Sequence, residues 1–276
     1  MTKTERQFLN GILRKTKPKK LLEVGVSAGG STINMLNAIK DIPDAKLYSI
    51  DYNTQWYVDS EKETGWRVKE CTPHLMDKWE LYTGGVSANF LEKIGGDIDL
   101  CLLDTVHSIP GELLDILMIL PFMKPDGIII LHDTSFHYFR GNGYSNGVLF
   151  SSIVANKFQP QGYYSTGALP NIGAFQLNRD TMKYVENIFY SLNLPWQYMP
   201  TGGDLEVSVK LFCKYYDSKL INILKTIIWF NKDKFNILKE QVAKCGGKKY
   251  PKWFIKFLCW FITNKESRRE LRRRYI

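Results

Sequence analysis

The sequence predicts an α/β protein with a parallel sheet, followed by a basic helical extension. An apolar strand, Leu21–Val24, runs into a glycine-rich turn that opens a helix. Apolar, β-branched segments then alternate with helical ones over the first half of the chain, which is typical of βαβ units. The net charge of +9 is unevenly distributed. Residues 206–276 carry 18 Lys and Arg against 6 Asp and Glu, whereas residues 1–205 carry 19 against 22.

The elements of this sheet can be placed in order. Apolar residues from Phe8 to Leu13 have helical spacing, and Pro18 ends that helix before the first strand. The later strands are predicted at Ala45–Asp51, Trp79–Thr83, Ile98–Asp104 and Gly127–Leu131, with a late antiparallel edge strand at Asn171–Leu177. Helices are predicted at Glu112–Met123 and near Val148–Lys157, and a turn at Lys124–Gly127.

Length and composition favour one domain, residues 1–205, with an appendage, residues 206–276. Five scattered cysteines without a C-x-x-C pair predict neither a disulfide framework nor a zinc site. The first twenty residues lack the apolar core of a signal peptide, and no apolar run is long enough to span a bilayer. We therefore expect a cytoplasmic protein.

The glycine-rich turn predicts a cofactor site. Gly25 and Gly29 allow close approach of the backbone to a ligand, and the first amides of the next helix are free donors. The spacing is not the dinucleotide G-x-G-x-x-G, and Glu23 precedes the first glycine. An acid at this place suits a cationic cofactor that carries a carboxylate better than a pyrophosphate.

Polar residues follow the other strands, where ligands of open parallel sheets bind. Asp51 ends the second strand and can accept hydrogen bonds from both hydroxyls of a ribose. After the third strand, Thr83–Ser87 offers backbone and hydroxyl groups that suit the edge of an adenine. The fourth strand ends in Asp104 with His107 close behind, and the fifth ends in His132 and Asp133.

With these motifs the chain resembles the class I S-adenosylmethionine-dependent methyltransferases over roughly residues 5–178. It is most similar to a bacterial subgroup that acts on small molecules and sugars. The resemblance implies a three-layer Rossmann-like methyltransferase sheet and S-adenosylmethionine as cofactor. It also implies that the methionine portion is contacted by Glu23, Gly25, Gly29 and Ser31. Asp51 would contact the ribose, and Gly85 and Ser87 would contact the adenine. Asp104 would lie beside the sulfonium.

The chemistry itself is predicted at the fourth and fifth strand ends. His107 is the candidate base for an oxygen nucleophile, because an imidazole titrates near neutral pH; a structural role in a turn is the alternative. His132 is less favoured, since strand alternation turns it away from the pocket. The resemblance also implies a cation between Asp104 and Asp133, where Thr134 replaces a better oxygen ligand; Mg²⁺ tolerates such a site when waters complete it. His137, Tyr138, Arg140 and Tyr144 are further candidates for contacting the acceptor.

The extension combines lysines and arginines with aromatic residues. Its predicted helices are Leu220–Phe230, Phe235–Val242 and Trp253–Ile262, followed by the arginine-rich Ser267–Arg274. A basic stripe on an apolar helix favours binding to an anionic membrane surface. The alternatives are packing on the domain and a seam between two copies in a homo-oligomer.

We therefore expect an O-methyltransferase that acts on a hydroxyl of a small molecule, a sugar or a surface-polysaccharide precursor. Two other functions are open. An RNA methyltransferase would use the basic tail for phosphates, although no RNA-binding signature is present, so nucleic acid is not the expected partner. The second of these alternatives is a non-catalytic, cofactor-binding scaffold that is anchored by the tail.

Overall fold

The computed structural model describes residues 1–136, 145–160 and 171–244, with side chains through residue 236. Its strands are β1 Lys20–Val24, β2 Lys46–Asp51, β3 Gln55–Trp56, β4 Asp59–Glu63, β5 Trp79–Thr83, β6 Ile98–Leu103, β7 Met123–His132, β8 Asn156–Phe158 and β9 Ile172–Gln176. Its helices are α1 Lys3–Thr16, α2 Gly30–Ile39, α3 Trp66–Cys71, α4 Leu91–Ile94, α5 Gly111–Ile119, α6 Ser145–Ser152, α7 Arg179–Lys183, α8 Glu186–Ser191, α9 Gly202–Tyr215 and α10 Ser218–Lys244. Short 3₁₀ turns cover Pro73–Lys78, Ser87–Asn89 and Leu120–Phe122.

Seven strands form one twisted sheet in the order β5-β2-β1-β6-β7-β9-β8. The five strands from β5 to β7 run parallel, and β9 is antiparallel to both β7 and β8. A separate hairpin, β3–β4, follows β2 and was not predicted. The predicted α/β fold with a parallel sheet is confirmed.

Alternate residues of the strands face two layers of helices. Leu21, Leu100 and Ile130 pack with Leu9 of α1 and Met35 of α2 in one core. Because strand side chains alternate, their neighbours point to the other face. There α5 packs against α6, α8 and α9. The predicted three layers are therefore present.

Helix α1 begins with a capping box. Thr2 is the N-cap, its Oγ1 accepts from the amide of Glu5, and the Glu5 carboxylate accepts from the amide of Thr2. The helix ends at Thr16, and its C-cap, Lys17, is left-handed and directly precedes Pro18. The helix therefore ends before Pro18 as predicted, whereas the capping box at its start was not predicted.

Four predicted boundaries differ from the structure. Lys124–Gly127 is not a turn but a bulge within β7, where the register against β6 shifts opposite Asp99. The late strand β9 does not lie at the sheet edge, because β8 covers it. The helix predicted near Val148–Lys157 is α6, which ends at Ser152, and the residues after it form β8. Leu220–Phe230 and Phe235–Val242 belong to one helix, α10.

The chain divides into two compact units, Met1–Asn231 and Lys232–Ile276. The first continues past residue 205, where the composition changes, because α9 and the start of α10 bury Phe212, Leu224 and Ile227. The predicted segments Trp253–Ile262 and Ser267–Arg274 lie outside the described residues. No helix among the described residues is long and apolar enough to cross a membrane.

Candidate active site

The glycine-rich turn after β1 is held from behind by Glu23. This carboxylate is fully buried and accepts hydrogen bonds from Ser31 (2.5 Å), Thr32 (2.7 Å) and Ser49 (2.8 Å). Burial raises the pKa of Glu23 to about 7, although the three hydroxyls oppose the shift. Glu23 and the hydroxyl of Ser31 therefore fasten the start of α2 to β1 and β2, which leaves contact with a ligand to the backbone of the turn.

Asp51, at the end of β2, holds the same turn from the side. Its Oδ2 accepts from the amides of Val26 and Ser27, both at 2.9 Å, and its Oδ1 accepts from the amide of Asn53 at 2.9 Å. A carboxylate oxygen has two lone pairs, so Oδ1 keeps the capacity for one further donor. The sequence did not predict that this carboxylate also fixes the turn.

The two predicted glycines are needed for contacts within the protein. Both have φ of +96°, a conformation that favours glycine. A Cβ on Gly25 would lie 1.8 Å from the carbonyl oxygen of Asp104, and one on Gly29 would lie 2.4 Å from Cγ2 of Val68. Gly25 therefore lets the turn lie directly against the end of β6, a contact that the sequence did not predict.

The loop after β5 is tied to the loop after β6 by Asp115 of α5. Ser87 is buried, and its hydroxyl donates to Asp115 Oδ1 at 3.0 Å, while Thr105 donates to Oδ2 at 3.1 Å. Burial, together with the charge of Glu112, raises the pKa of Asp115 to about 7. At Gly85 a Cβ would lie 2.7 Å from Asn89. The side chain of Ser87 thus connects the two loops, so contact with a ligand at Gly85 and Ser87 would come from their main chain.

The ends of β6 and β7 bring together Asp104, His107, His132 and Asp133, which we call the His–Asp cluster. Nε2 of His107 lies 3.1 Å from Asp133 and 3.7 Å from Asp104. Oδ1 of Asp133 accepts a hydrogen bond from Asn171. Four residues that the sequence placed at two strand ends therefore form one site.

Glu112 holds His107 in this cluster. Its buried carboxylate lies 3.1 Å from Nδ1 of His107 and accepts from the His107 amide at 2.6 Å. Ser145 and Asn146 of α6 donate to the same carboxylate. Burial lowers the pKa of His107, but the hydrogen bond and charge of Glu112, followed by the two aspartates, outweigh it, so the pKa lies above its usual value. From the sequence, Glu112 was predicted only to begin a helix.

His132 faces the cluster, and the expectation that it points away is wrong. Its Nδ1 lies 3.3 Å from Asp104 and 3.4 Å from Asp133, and its Nε2 lies 3.2 Å from Glu5. Strand alternation ends here because Asp133 is left-handed, with φ of +57°, which returns both side chains to one side. Burial lowers the pKa of His132, but hydrogen bonds and charges of the three carboxylates raise it to about 12.

The cluster fits a divalent cation as well as a base. Asp104, His107 and Asp133 each offer one ligand atom, and these atoms lie within 4.8 Å of one another. His132 Nδ1 is buried beside them and faces the same two aspartates, at 3.3 Å and 3.4 Å. Two carboxylates and an imidazole suit Mn²⁺ better than the all-oxygen shell that Mg²⁺ prefers. His137, Tyr138, Arg140 and Tyr144 lie outside the described residues.

Comparison with known proteins gives one family. Residues 22–134 match the family model described as a methyltransferase domain. No curated protein sequence matches the chain.

Solved structures similar to this chain include three methyltransferases. The O-methyltransferase TomG from Streptomyces achromogenes, in complex with SAM, is 14% identical over 64% of this chain and 81% of its own, with a TM-score of 0.47. The O-methyltransferase from Bacillus cereus, in complex with SAH, is 16% identical over 64% and 82%, with a TM-score of 0.46. The SAH-bound methyltransferase PaMTH1 from Podospora anserina is 17% identical over 64% and 80%, with a TM-score of 0.48.

Proposed function

We propose that this chain, whose residues 22–134 match the model of a methyltransferase domain, transfers a methyl group from S-adenosylmethionine to a hydroxyl oxygen of a small polar acceptor. One observation carries the proposal. The glycine-rich turn lies against Asp104 at Gly25, so the predicted cofactor site adjoins the His–Asp cluster. A methyl donor and a group that accepts a proton would be neighbours there.

His107 acts as the base in this proposal. In the neutral imidazole Nδ1–H would donate to Glu112, and Nε2 would accept the proton of an acceptor hydroxyl that takes the place of its 3.1 Å contact with Asp133. The hydroxyl oxygen then forms its bond to the methyl carbon as the bond from carbon to sulfur breaks, and the proton stays on His107 until solvent removes it. S-adenosylmethionine supplies the methyl group on a sulfonium sulfur. Glu112 fixes the tautomer and stabilises the imidazolium, as the carboxylate of a catalytic triad does.

The cofactor would be held by the residues that the resemblance implies. Oδ1 of Asp51 has room for one donor, which suits a ribose hydroxyl. The backbone at Gly25 and Gly29 would hold the methionine portion, with Glu23 and Ser31 fixing that backbone. The loop at Gly85 and Ser87 would contact the adenine through its main chain. Asp104 would lie beside the positive sulfonium.

A divalent cation is an addition that the donor set permits. Asp104, His107 and Asp133 would hold it, and it would lower the pKa of a bound acceptor hydroxyl. His107 would then be a ligand, so the base and the cation are alternative uses of the same nitrogen. If methyl transfer required Mg²⁺, as the resemblance implies, His107 would be a ligand of the cation and not the base.

The acceptor is proposed to be a sugar or a precursor of a surface polysaccharide, because the strand-end motifs resemble a subgroup that methylates small molecules and sugars. The basic tail would keep this cytoplasmic enzyme at the inner face of the membrane. Two aromatic residues of α10, Trp229 and Phe230, are 67% and 61% exposed, which suits an interfacial role.

Transfer of labelled methyl groups tests the activity. The full chain, incubated with methyl-labelled S-adenosylmethionine and a fractionated bacterial extract, is expected to label the glycan or metabolite fraction. Label in RNA, with binding that weakens steeply as salt rises, would support the RNA alternative. Tight cofactor binding without label in any fraction would support a scaffold.

Vesicle sedimentation tests the tail separately. The full chain is expected to sediment with phosphatidylglycerol vesicles and to stay in the supernatant with phosphatidylcholine vesicles. A variant in which Arg268, Arg269 and Arg272 are changed to Gln should no longer sediment with the phosphatidylglycerol vesicles. Equal binding of both proteins would reject the membrane role.

A further inference from the structure

One side chain of α1 reaches the His–Asp cluster, although α1 lies outside the residues that match the methyltransferase domain. Glu5 is the third residue of α1, and its side chain is only 4% exposed. Its Oε2 lies 3.2 Å from Nε2 of His132. We infer that Glu5 is a positioning residue for methyl transfer, acting through His132 on Asp104 and Asp133. The inference rests on the proposed function.

The capping box does not explain why Glu5 is buried. Glu5 exchanges hydrogen bonds with Thr2, and such a pair caps a helix equally well at the surface. Taking a carboxylate out of water costs several kcal/mol unless a partner compensates it. His132 is the partner in this structure, and it belongs to the last position of β7. The burial of Glu5 therefore serves a contact between α1 and the cluster.

This contact fixes the direction of the His132 ring. When Nε2–H donates to Glu5, the opposite nitrogen, Nδ1, must point at Asp104 and Asp133. The backbone is held too, since the carbonyl of His132 accepts from Asn146 at 2.7 Å. Carboxylates orient imidazoles in this way behind many catalytic and metal sites.

The separation of the two aspartates depends in part on that ring. His132 and His107 both lie between them, and each offsets the repulsion of the two neighbouring carboxylates. Without Glu5 the ring could turn about its side-chain bonds, and the aspartates would separate. Because Asp133 also contacts Nε2 of His107, the proposed base would lose part of its alignment.

Three variants of the full chain separate this role from helix capping. Glu5→Ala is expected to lower the methyl-transfer rate to the extract's glycan and metabolite fraction, at saturating S-adenosylmethionine, about tenfold. Affinity for S-adenosylhomocysteine should stay unchanged, because the glycine-rich turn is untouched. Glu5→Gln keeps an acceptor and should recover most of the rate. Thr2→Ala is the matched control, which weakens the cap and lowers Tm but leaves the rate unchanged.

A spectroscopic measurement tests the contact independently of turnover. In ¹⁵N-histidine-labelled protein, the Nε2 proton of His132 should exchange slowly and give a resolved signal, assigned by its loss in His132→Asn. The signal should persist in Thr2→Ala and Glu5→Gln and disappear in Glu5→Ala.

The outcomes distinguish two failures. A signal that survives Glu5→Ala, or equal loss of rate in Glu5→Ala and Thr2→Ala, would overturn the positioning role. If the signals behave as expected but the wild-type chain methylates nothing, the proposed function fails and only the pairing of Glu5 with His132 stands.

Discussion

The two halves of the candidate site are held by different kinds of interaction. At the glycine-rich turn, Glu23 and Asp51 are bound by hydroxyls and backbone amides of β1, β2 and α2, close together in the sheet. In the His–Asp cluster two imidazoles lie among carboxylates from α1, α5 and the ends of β6 and β7. The first half is built from neutral donors around single charges, and the second from charges that face one another.

The difference assigns separate tasks to the two halves. A turn whose polar groups are nearly all satisfied is a rigid cradle, because moving any group leaves a buried donor or acceptor unpaired. In the cluster the carboxylates raise the pKa of both imidazoles, and charged groups that shift one another's pKa are typical of places where protons are exchanged. Binding of the cofactor and proton transfer should therefore respond to different substitutions.

The largest expected effect is that of His107→Gln. Removal of a general base costs about 10²- to 10⁴-fold in rate, while affinity for S-adenosylhomocysteine should stay the same because the turn is intact. Initial rates and calorimetric titration of the same preparation measure both quantities. His74→Gln changes an exposed histidine outside the cluster and is the control. Full activity of the His107 variant would remove it as the base.

Glu112→Gln should have the next largest effect. An amide keeps most of the shape and the contacts with Ser145 and Asn146, but it no longer fixes the ring of His107 by charge. We expect the rate to fall about 10- to 100-fold, with unchanged cofactor affinity. Glu206→Gln, at an exposed glutamate paired with Lys210, is the matched control. A variant as fast as the wild type would show that His107 needs no partner.

Glu23→Gln should change the pH dependence of stability. The pKa of Glu23 is about 7 in the folded chain and 4.5 when unperturbed, so the folded state binds more protons between these values. Stability of the wild type then falls as pH rises from about 4.5 to 7, by up to roughly 3 kcal/mol from this group. The Gln variant lacks that loss. Its Tm relative to wild type should rise over this range, and a constant difference would refute the shift.

Chelation should have the smallest effect. If His107 is the base, EDTA leaves the methyl-transfer rate unchanged. A rate that EDTA abolishes and that Mn²⁺ or Mg²⁺ restores would instead assign Asp104, His107 and Asp133 to a cation.

The glycine-rich turn was more predictable from the sequence than the His–Asp cluster. Glu23, Gly25 and Asp51 lie at strand ends whose order follows from the βαβ pattern, and the parallel sheet brings such ends together. The pattern does not reveal what each side chain contacts, so the buried position of Glu23 and the clamp of Asp51 on the turn were missed.

The cluster depends on contacts distant in sequence. Glu5 and His132 are separated by 127 positions, and neither residue carries a motif that names the other. The direction of His132 was predicted wrongly because the rule of alternation holds only within a strand, and the left-handed Asp133 ends it. Glu112 is the first residue of a helix that the sequence predicted. Its spacing of five residues from His107 was the signal that could have identified it.

Calorimetric titration of S-adenosylhomocysteine into the wild-type chain and the Asp51→Ala variant tests whether the glycine-rich turn holds the methyl donor. We expect the wild type to bind and the variant to bind more than tenfold more weakly, a loss of about 1.4 kcal/mol or more. Absence of binding to the wild type, or equal affinity of the two proteins, would contradict the assignment of the glycine-rich turn as the site of the methyl donor.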